Sequence, residues 1–250
     1  RNSIGVRRQL GVCLQHNALY ENITVQEHMR LFCALKSVPR DKMQHEIGCL
    51  LHDVGLAPKR HAQTRALSGG MKRKLSICIA LAGGSKVVTL DEPTAGVDAT
   101  SRRDIWQLLA GHKLGRTILL STHFMDEADI LSDRIAIIAE GKLSAIGTSL
   151  RLKRHFTDGY MLNVVLADGK REDRLMEAIV AAVPSAKFVG SRGRELSYVL
   201  PFASRGSFAK LFDAFRDDNL RRELGIDAYG LSAATMEEVF LRASSLHEEG

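Results

Sequence analysis

Val88-Thr-Leu-Asp-Glu-Pro93 is the stretch on which the reading of the fold turns. A short apolar run ends in two adjacent carboxylates and then a proline. Val87 to Leu90 lack apolar–polar alternation, which predicts a strand of a parallel sheet covered on both faces. Asp91 and Glu92 then fall at the carboxyl end of a central strand, where open α/β sheets collect their ligands. Pro93 cannot continue the ladder and stops the strand. Two charges beside a buried strand are costly unless a cation or a polar ligand compensates them. A strand running into an acidic surface turn has the same residues, and the rest of the chain decides between the two.

The chain has 250 residues and 45% apolar content, enough for one large domain or two small ones with a real core. Its net charge of +6 is spread along the sequence, which fits a solvated surface with at most a weak pull on phosphates or anionic headgroups. Cys13, Cys33, Cys49 and Cys78 have no CxxC spacing and no His at ligand spacing, so they read as buried thiols in a reducing compartment. No stretch approaches the roughly 18 apolar residues of a membrane span. Arg1 opens no recognisable domain and no initiator Met is present, so the chain is expected to be a piece of something longer.

The residues around the doublet alternate strand and helix signals. Leu10 to Leu14 reads as a strand leading to Gln15. Val25 to Leu35 has helical apolar spacing behind Thr24 as N-cap, and Pro39 breaks it. Ile47 to Val54 reads as a short helix. Leu67-Ser-Gly-Gly-Met71 opens a further helix that ends at Gly83-Gly84. After the strand at 87–90 come a helix marked by Ile105, Leu108 and Leu109, a buried strand Thr117–Ser121, and His123. Ile135–Ile138 and Lys142–Ile146 pair as a hairpin about Glu140-Gly141. Beyond residue 150 the order becomes strand Tyr160–Leu166, helix Arg174–Val183, strands Lys187–Val189 and Leu196–Leu200, a helix through Phe208 to Phe215, and strand Ile226–Leu231. That β-α-β-β-α-β order is the split βαβ arrangement. A helix from Thr235 to Leu241 closes the chain.

Ser68, Gly69 and Gly70 sit directly before a helix, where glycines allow close backbone approach and unpaired N–H groups face an anion. A Gly-rich turn that merely starts a helix would look the same. In order along the chain, however, Gln15, Leu67–Met71, Asp91-Glu92, Thr94-Ala-Gly-Val-Asp98 and His123 together resemble the ABC-type ATPases. They stand as Q-loop, signature, Walker B, D-loop and H-loop. Gly11-Val-Cys-Leu-Gln-His-Asn17, Leu67-Ser-Gly-Gly-Met-Lys-Arg-Lys-Leu-Ser76, Ser121-Thr-His-Phe-Met-Asp-Glu-Ala-Asp129 and Thr235-Met-Glu-Glu-Val-Phe240 look like subfamily A of the ABC transporters, mostly lipid or sterol movers. The resemblance implies an α/β fold: an ABC ATPase domain over residues 1–150, with a helical subdomain about 16–82. A small α+β ferredoxin-like regulatory domain would follow over 151–250.

The resemblance also implies roles. Asp91 would hold Mg²⁺, Glu92 would polarise the attacking water, His123 would contact the γ-phosphate, and Gln15 would reach both metal and water. Ser68, Gly69 and Gly70 would bind the γ-phosphate of an ATP held by a second nucleotide-binding domain in a head-to-tail pair, and Asp98 would link the two sites. Further implied partners are the transmembrane domains of a multi-pass transporter, with this domain on the cytosolic face, and a lipid-like cargo; no nucleic acid is expected. Lys72-Arg-Lys74 reads as the solvated face of the signature helix. His16, His28, His45, His52, His61, His112, His155 and His247 read as surface or satisfied histidines.

One absence limits this picture. No G-x-x-x-x-G-K-[ST] occurs in these residues. The family places that P-loop upstream of the Q-loop, so residues 1–250 alone are expected neither to bind ATP tightly nor to hydrolyse it. Leu14, Lys72 and Ala99 depart from the family's usual residues without removing a functional group. Two rival readings are a soluble ABC-type ATPase acting on nucleic acid or the ribosome, and a non-catalytic interaction module working through its tail. The DNA-repair type inserts long coiled coils between Gln15 and Ser68, whereas here about fifty residues separate them.

Overall fold

Helix α1 (Ser3–Gln9) runs into strand β1 (Leu10–Cys13). Helix α2 (Val25–Leu35) opens with a full capping box: the Thr24 hydroxyl accepts from the Glu27 N–H at 3.2 Å, and Glu27 Oε2 accepts from the Thr24 N–H at 2.7 Å. Val25, Met29 and Cys33 recur every four residues and form its buried face. Helix α3 is longer than the apolar spacing predicts. It spans Arg40–Asp53 and starts directly after Pro39; its first two turns are mostly charged and exposed, and the lone apolar Met43 gives no periodic signal. Helix α4 (Gly69–Leu81), strand β2 (Val87–Asp91), helix α5 (Ala99–Gly111), strand β3 (Thr117–Ser121) and helix α6 (Met125–Leu131) follow. The computed structural model describes residues 3–167 and 172–245, with the side chains of residues 3 and 4 excluded.

β1, β2 and β3 form a parallel sheet in that order, in the register Cys13↔Leu90 and Leu90↔Leu120. One face, through Cys13, Val88 and Leu90, packs into a core with Leu75, Ile77, Leu81 and Ile105. The packing is close: a Cβ on Gly11 would lie 1.9 Å from the Ala80 carbonyl oxygen. The other face corrects the expectation of a strand buried on both sides. Val12 is 48% exposed, Val87 43% and Leu119 64%, and Val12 lines up through Thr89 with Leu119. Within the unit that holds the sheet no described element covers that face, and β2 alternates between buried and open positions.

The chain divides into two compact units, Arg1–Leu131 and Ser132–Gly250. The second begins with strands β4 (Ile135–Ala139) and β5 (Lys142–Gly147), joined by the predicted turn with Glu140 at φ 50° and Gly141 at φ 74°. Helix α7 (Ser149–Phe156) follows, capped by Thr148. Strand β6 (Gly159–Leu166), helix α8 (Glu172–Ala182), strands β7 (Lys187–Arg192) and β8 (Glu195–Pro201) and helix α9 (Phe208–Arg216) then appear where the periodicity predicts them. An additional helix α10 (Asp218–Leu224), capped by Asp217 and ended by Gly225 at φ 69°, precedes strand β9 (Ile226–Ser232). The four strands form an antiparallel sheet in the order β7-β8-β6-β9, the split βαβ topology. Leu162, Val164, Leu175, Ile179, Tyr198 and Phe215 fill its core. Helix α11 (Met236–Ser245) closes the described chain. His247 lies outside the described residues.

One smaller expectation needs adjustment. All four cysteines are free thiols, and Cys13, Cys33 and Cys78 are buried, but Cys49 is exposed on α3. No helix among the described residues is long and apolar enough to cross a membrane.

Candidate functional site

Parallel strands in register end on one edge, and the sequence loads that edge with polar groups. β1 runs out to Gln15, β2 ends at Asp91 with Glu92 next, and β3 ends at Ser121 with His123 two residues on. The Ser121 hydroxyl donates to Asp91 Oδ1 at 2.5 Å and so orients that carboxylate. His123 Nδ1 lies 2.6 Å from Glu92 Oε2, with the imidazole largely exposed and the carboxylate four-fifths buried. The same oxygen makes no formed hydrogen bond, so Oε2 keeps lone-pair capacity for a donor such as water. Gln15 is exposed, and its side-chain amide makes no hydrogen bond among the described residues.

The backbone at Glu92 is in the left-handed region, φ 48°. For a residue with a Cβ this costs about 1–2 kcal/mol. Its N–H is tied to the Ser121 carbonyl at 3.0 Å, so β3 helps to hold the turn that aims the carboxylate. The loop that carries His123 is held in its turn by α5 and α6. Arg102 stacks over the Phe124 ring at 4.1 Å, and Trp106 Nε1 donates to the fully buried Glu127 at 3.0 Å.

A second group forms at the start of α4. Ser68 is the N-cap, its hydroxyl accepting from the Met71 N–H at 3.3 Å. Gly70 faces α5: a Cβ there would lie 2.9 Å from Ser101 Oγ and 3.5 Å from Asp98 Oδ2. Asp98 caps α5 by accepting from the N–H groups of Ser101 and Thr100 at 3.0 and 3.1 Å. Those hydrogen bonds, with the Ser101 hydroxyl, hold its carboxyl below the usual range. The expected residues thus fall into two sets, Gln15 with Asp91, Glu92 and His123, and Ser68, Gly69 and Gly70 with Asp98. No hydrogen bond or ion pair joins the sets directly among the described residues.

What joins them is a residue that the sequence reading misplaced. Arg73 is not on a solvated face; it is 2% exposed. Its guanidinium donates to the carbonyls of Leu14 and Gln15 on one side and of Asp91, Glu92 and Pro93 on the other. Lys74 is also withdrawn from solvent and pairs with Asp104 at 2.6 Å. The signal was present: Arg73 stands four, seven and eight residues before the buried Ile77, Ala80 and Leu81, at the head of a helical stripe. A run of three basic residues hid it.

Comparison with known proteins bears on the family and the fold. Residues 2–95 match the family model described as ABC transporter, and residues 160–236 match one described as ACT-like domain. The chain is 46% identical over 246 residues to the human phospholipid-transporting ATPase ABCA3, covering 98% of this chain and 14% of that protein. It is 42% identical over 266 residues to human ATP-binding cassette sub-family A member 2, covering 96% and 11%, and 42% identical over 269 residues to human phospholipid-transporting ATPase ABCA7, covering 95% and 12%. The chain therefore spans about one seventh or less of the length of these relatives. A solved structure of the ATP-binding subunit of an ABC transporter is similar at TM-score 0.56 and 27% identity, over 62% of this chain and 65% of that one. With the strand-end carboxylates, the signature turn and the βαββαβ unit all in place, the chain belongs to the ABC transporter family as an ATP-binding domain homologous to subfamily A.

Proposed function

We propose that this chain is the nucleotide-binding and regulatory part of a subfamily A transporter that couples ATP binding and hydrolysis to movement of a lipid across a membrane. The names of the relatives ABCA3 and ABCA7 as phospholipid-transporting ATPases support the choice of cargo. The ATPase domain is assigned to residues 1–150, with its helical subdomain about 16–82, and the regulatory domain to 151–250. In the working protein the ATPase domain would lie on the cytosolic face, beside transmembrane domains and head-to-tail with a second nucleotide-binding domain.

The observation that carries the reading is the meeting of Asp91, Glu92 and His123 at one sheet edge, with His123 2.6 Å from Glu92. Mg-ATP, when bound, supplies the phosphoryl group and a hard cation that prefers oxygen ligands. The donor chemistry fits such a guest: the strand end offers the oxygen ligand Asp91, its carboxylate oriented by the Ser121 hydroxyl. Asp91, oriented by Ser121, would take the metal, and Gln15 would reach it and the water from the neighbouring strand end. Glu92 would accept the proton of the attacking water through Oε2, the atom that has no formed hydrogen bond. His123 would contact the γ-phosphate. Ser68, Gly69 and Gly70 would serve the nucleotide of the opposite domain, and Asp98 would link the two sites. Positioning and charge stabilisation of this kind supply most of phosphoryl-transfer catalysis.

Glu92→Gln in the full-length protein tests the reading. Turnover falls about 10²- to 10⁴-fold while nucleotide binding persists; unchanged turnover would favour a structural role. Because residues 1–250 contain no Walker A sequence, these residues alone neither bind ATP tightly nor hydrolyse it, and measurable Mg-ATPase activity from them would count against that expectation.

A further inference from the structure

Arg73 has five N–H groups, and each side of its fork is committed. Nε donates to the Pro93 carbonyl at 2.8 Å, Nη1 to Leu14 and Gln15, and Nη2 to Asp91 and Glu92 at 2.6 and 2.8 Å. A buried cation is costly unless paired, yet no carboxylate forms an ion pair with it among the described residues. Five carbonyl dipoles compensate the charge instead. They belong to two loops far apart in sequence, the exit of β1 and the exit of β2, and the side chain belongs to the helix that the signature turn opens.

We propose that Arg73 is the positioning residue that fastens the Gln15 loop and the Asp91-Glu92 turn to the signature helix, so that the two loops move as one body with α4. The proposal rests on the ATPase reading only in its predicted effect on turnover. The geometry is specific. Glu92 sits at φ 48°, with its N–H tied to the Ser121 carbonyl and its own carbonyl tied to Arg73. Release of the carbonyl end lets the turn relax toward negative φ and swings the carboxylate away from His123. The same loss frees the backbone of Gln15. A lysine cannot substitute, because it is a single three-donor point charge where the site presents five acceptors to a planar fork. A group needed only to fill the core would not require all five donors aimed at two functional loops.

The test uses Arg73→Lys and Arg73→Gln in the full-length protein. Four quantities are measured: ATP turnover, KM for ATP, binding stoichiometry of a fluorescent ATP analogue, and amide hydrogen exchange over residues 12–18 and 90–95. The expected result is a fall in kcat of about 10- to 100-fold, as for a small misplacement of a catalytic group. KM stays within about threefold and stoichiometry is unchanged, the pattern of a group acting on the transition state alone. Exchange rises in both segments together, and lysine does not rescue. Parental turnover in Arg73→Lys overturns the proposal. So does a fall in turnover matched by an equal fall in binding stoichiometry, which marks a structural role, or exchange that rises in one segment only. If the parent protein binds no nucleotide, the ATPase reading fails, and the exchange result still decides whether Arg73 couples the two loops.

Discussion

Replacing Gly11 with alanine separates a sheet from the helix packed on it. The added Cβ would lie 1.9 Å from the Ala80 oxygen and 2.8 Å from the Ala80 carbonyl carbon, both backbone atoms of α4 that no rotamer change can move. Ordinary contact starts at 3.4 Å, so β1 and α4 must part by roughly 1.5 Å at this point. That gap falls between Cys13, Ile77, Ala80 and Leu81, all nearly or wholly buried. A separation of this size forfeits more than about half of the dispersion contact at this point of the interface. Together with the displaced strand, the cost is about 3 kcal/mol, the upper end for overpacking. Trp106 is the chain's single tryptophan and lies on α5, so its fluorescence reports the unfolding of this unit alone. With a urea m-value of about 2 kcal/mol/M, the midpoint should fall by about 1–2 M. A Gly11→Ala midpoint within about 0.2 M of the parent refutes the close approach. Because β1 carries the Gln15 loop, the same change should also move the Q-loop.

Gly48, inside α3 with nothing within 4 Å of a built Cβ, should respond in the opposite sense. Gly48→Ala should stabilise the unit by about 0.5–1 kcal/mol, and a lower midpoint would contradict the helical assignment there. His28 is fully buried, accepts the Tyr20 N–H at Nε2 and has Nδ1 on the Thr24 carbonyl, and burial holds its pKa below the ordinary imidazole value. The folded chain therefore binds fewer protons than the unfolded one below about pH 6.5, so stability is lost as pH falls through that value and is flat above it. His28→Gln should flatten this acid slope in urea titrations at a series of pH values; an unchanged slope assigns the sensitivity elsewhere. Ser121→Ala removes the donor that orients Asp91 and should raise the Mg²⁺ concentration for half-maximal turnover of the full-length protein by about tenfold. An unchanged Mg²⁺ dependence would show that Ser121 does not support the metal ligand.

The helices and strands that carry the site were legible because their signals are local. Thr24 as N-cap, Ser68 before two glycines, and Glu140-Gly141 are short-range devices whose hydrogen bonds or φ angles depend on neighbours in sequence. The βαββαβ tail was legible for the same reason, since each apolar run stops at a turn. Helix α3 was half missed because its first turns are mostly charged and carry one apolar residue, Met43, and α10 was missed because seven residues give too few periods to count.

The sequence by itself determined which groups are present: a carboxylate doublet ending a strand, a glycine turn opening a helix, and a glutamine and a histidine at the ends of neighbouring strands. These are chemical identities and strand ends, and a parallel sheet gathers strand ends on one edge whatever else the chain does. Only the tertiary structure decided what Arg73 does and that Gly11 exists for the Ala80 carbonyl. Each of those depends on a partner dozens of residues away. A basic run on a helix or a glycine in a strand has the same local appearance whether it faces water or another backbone.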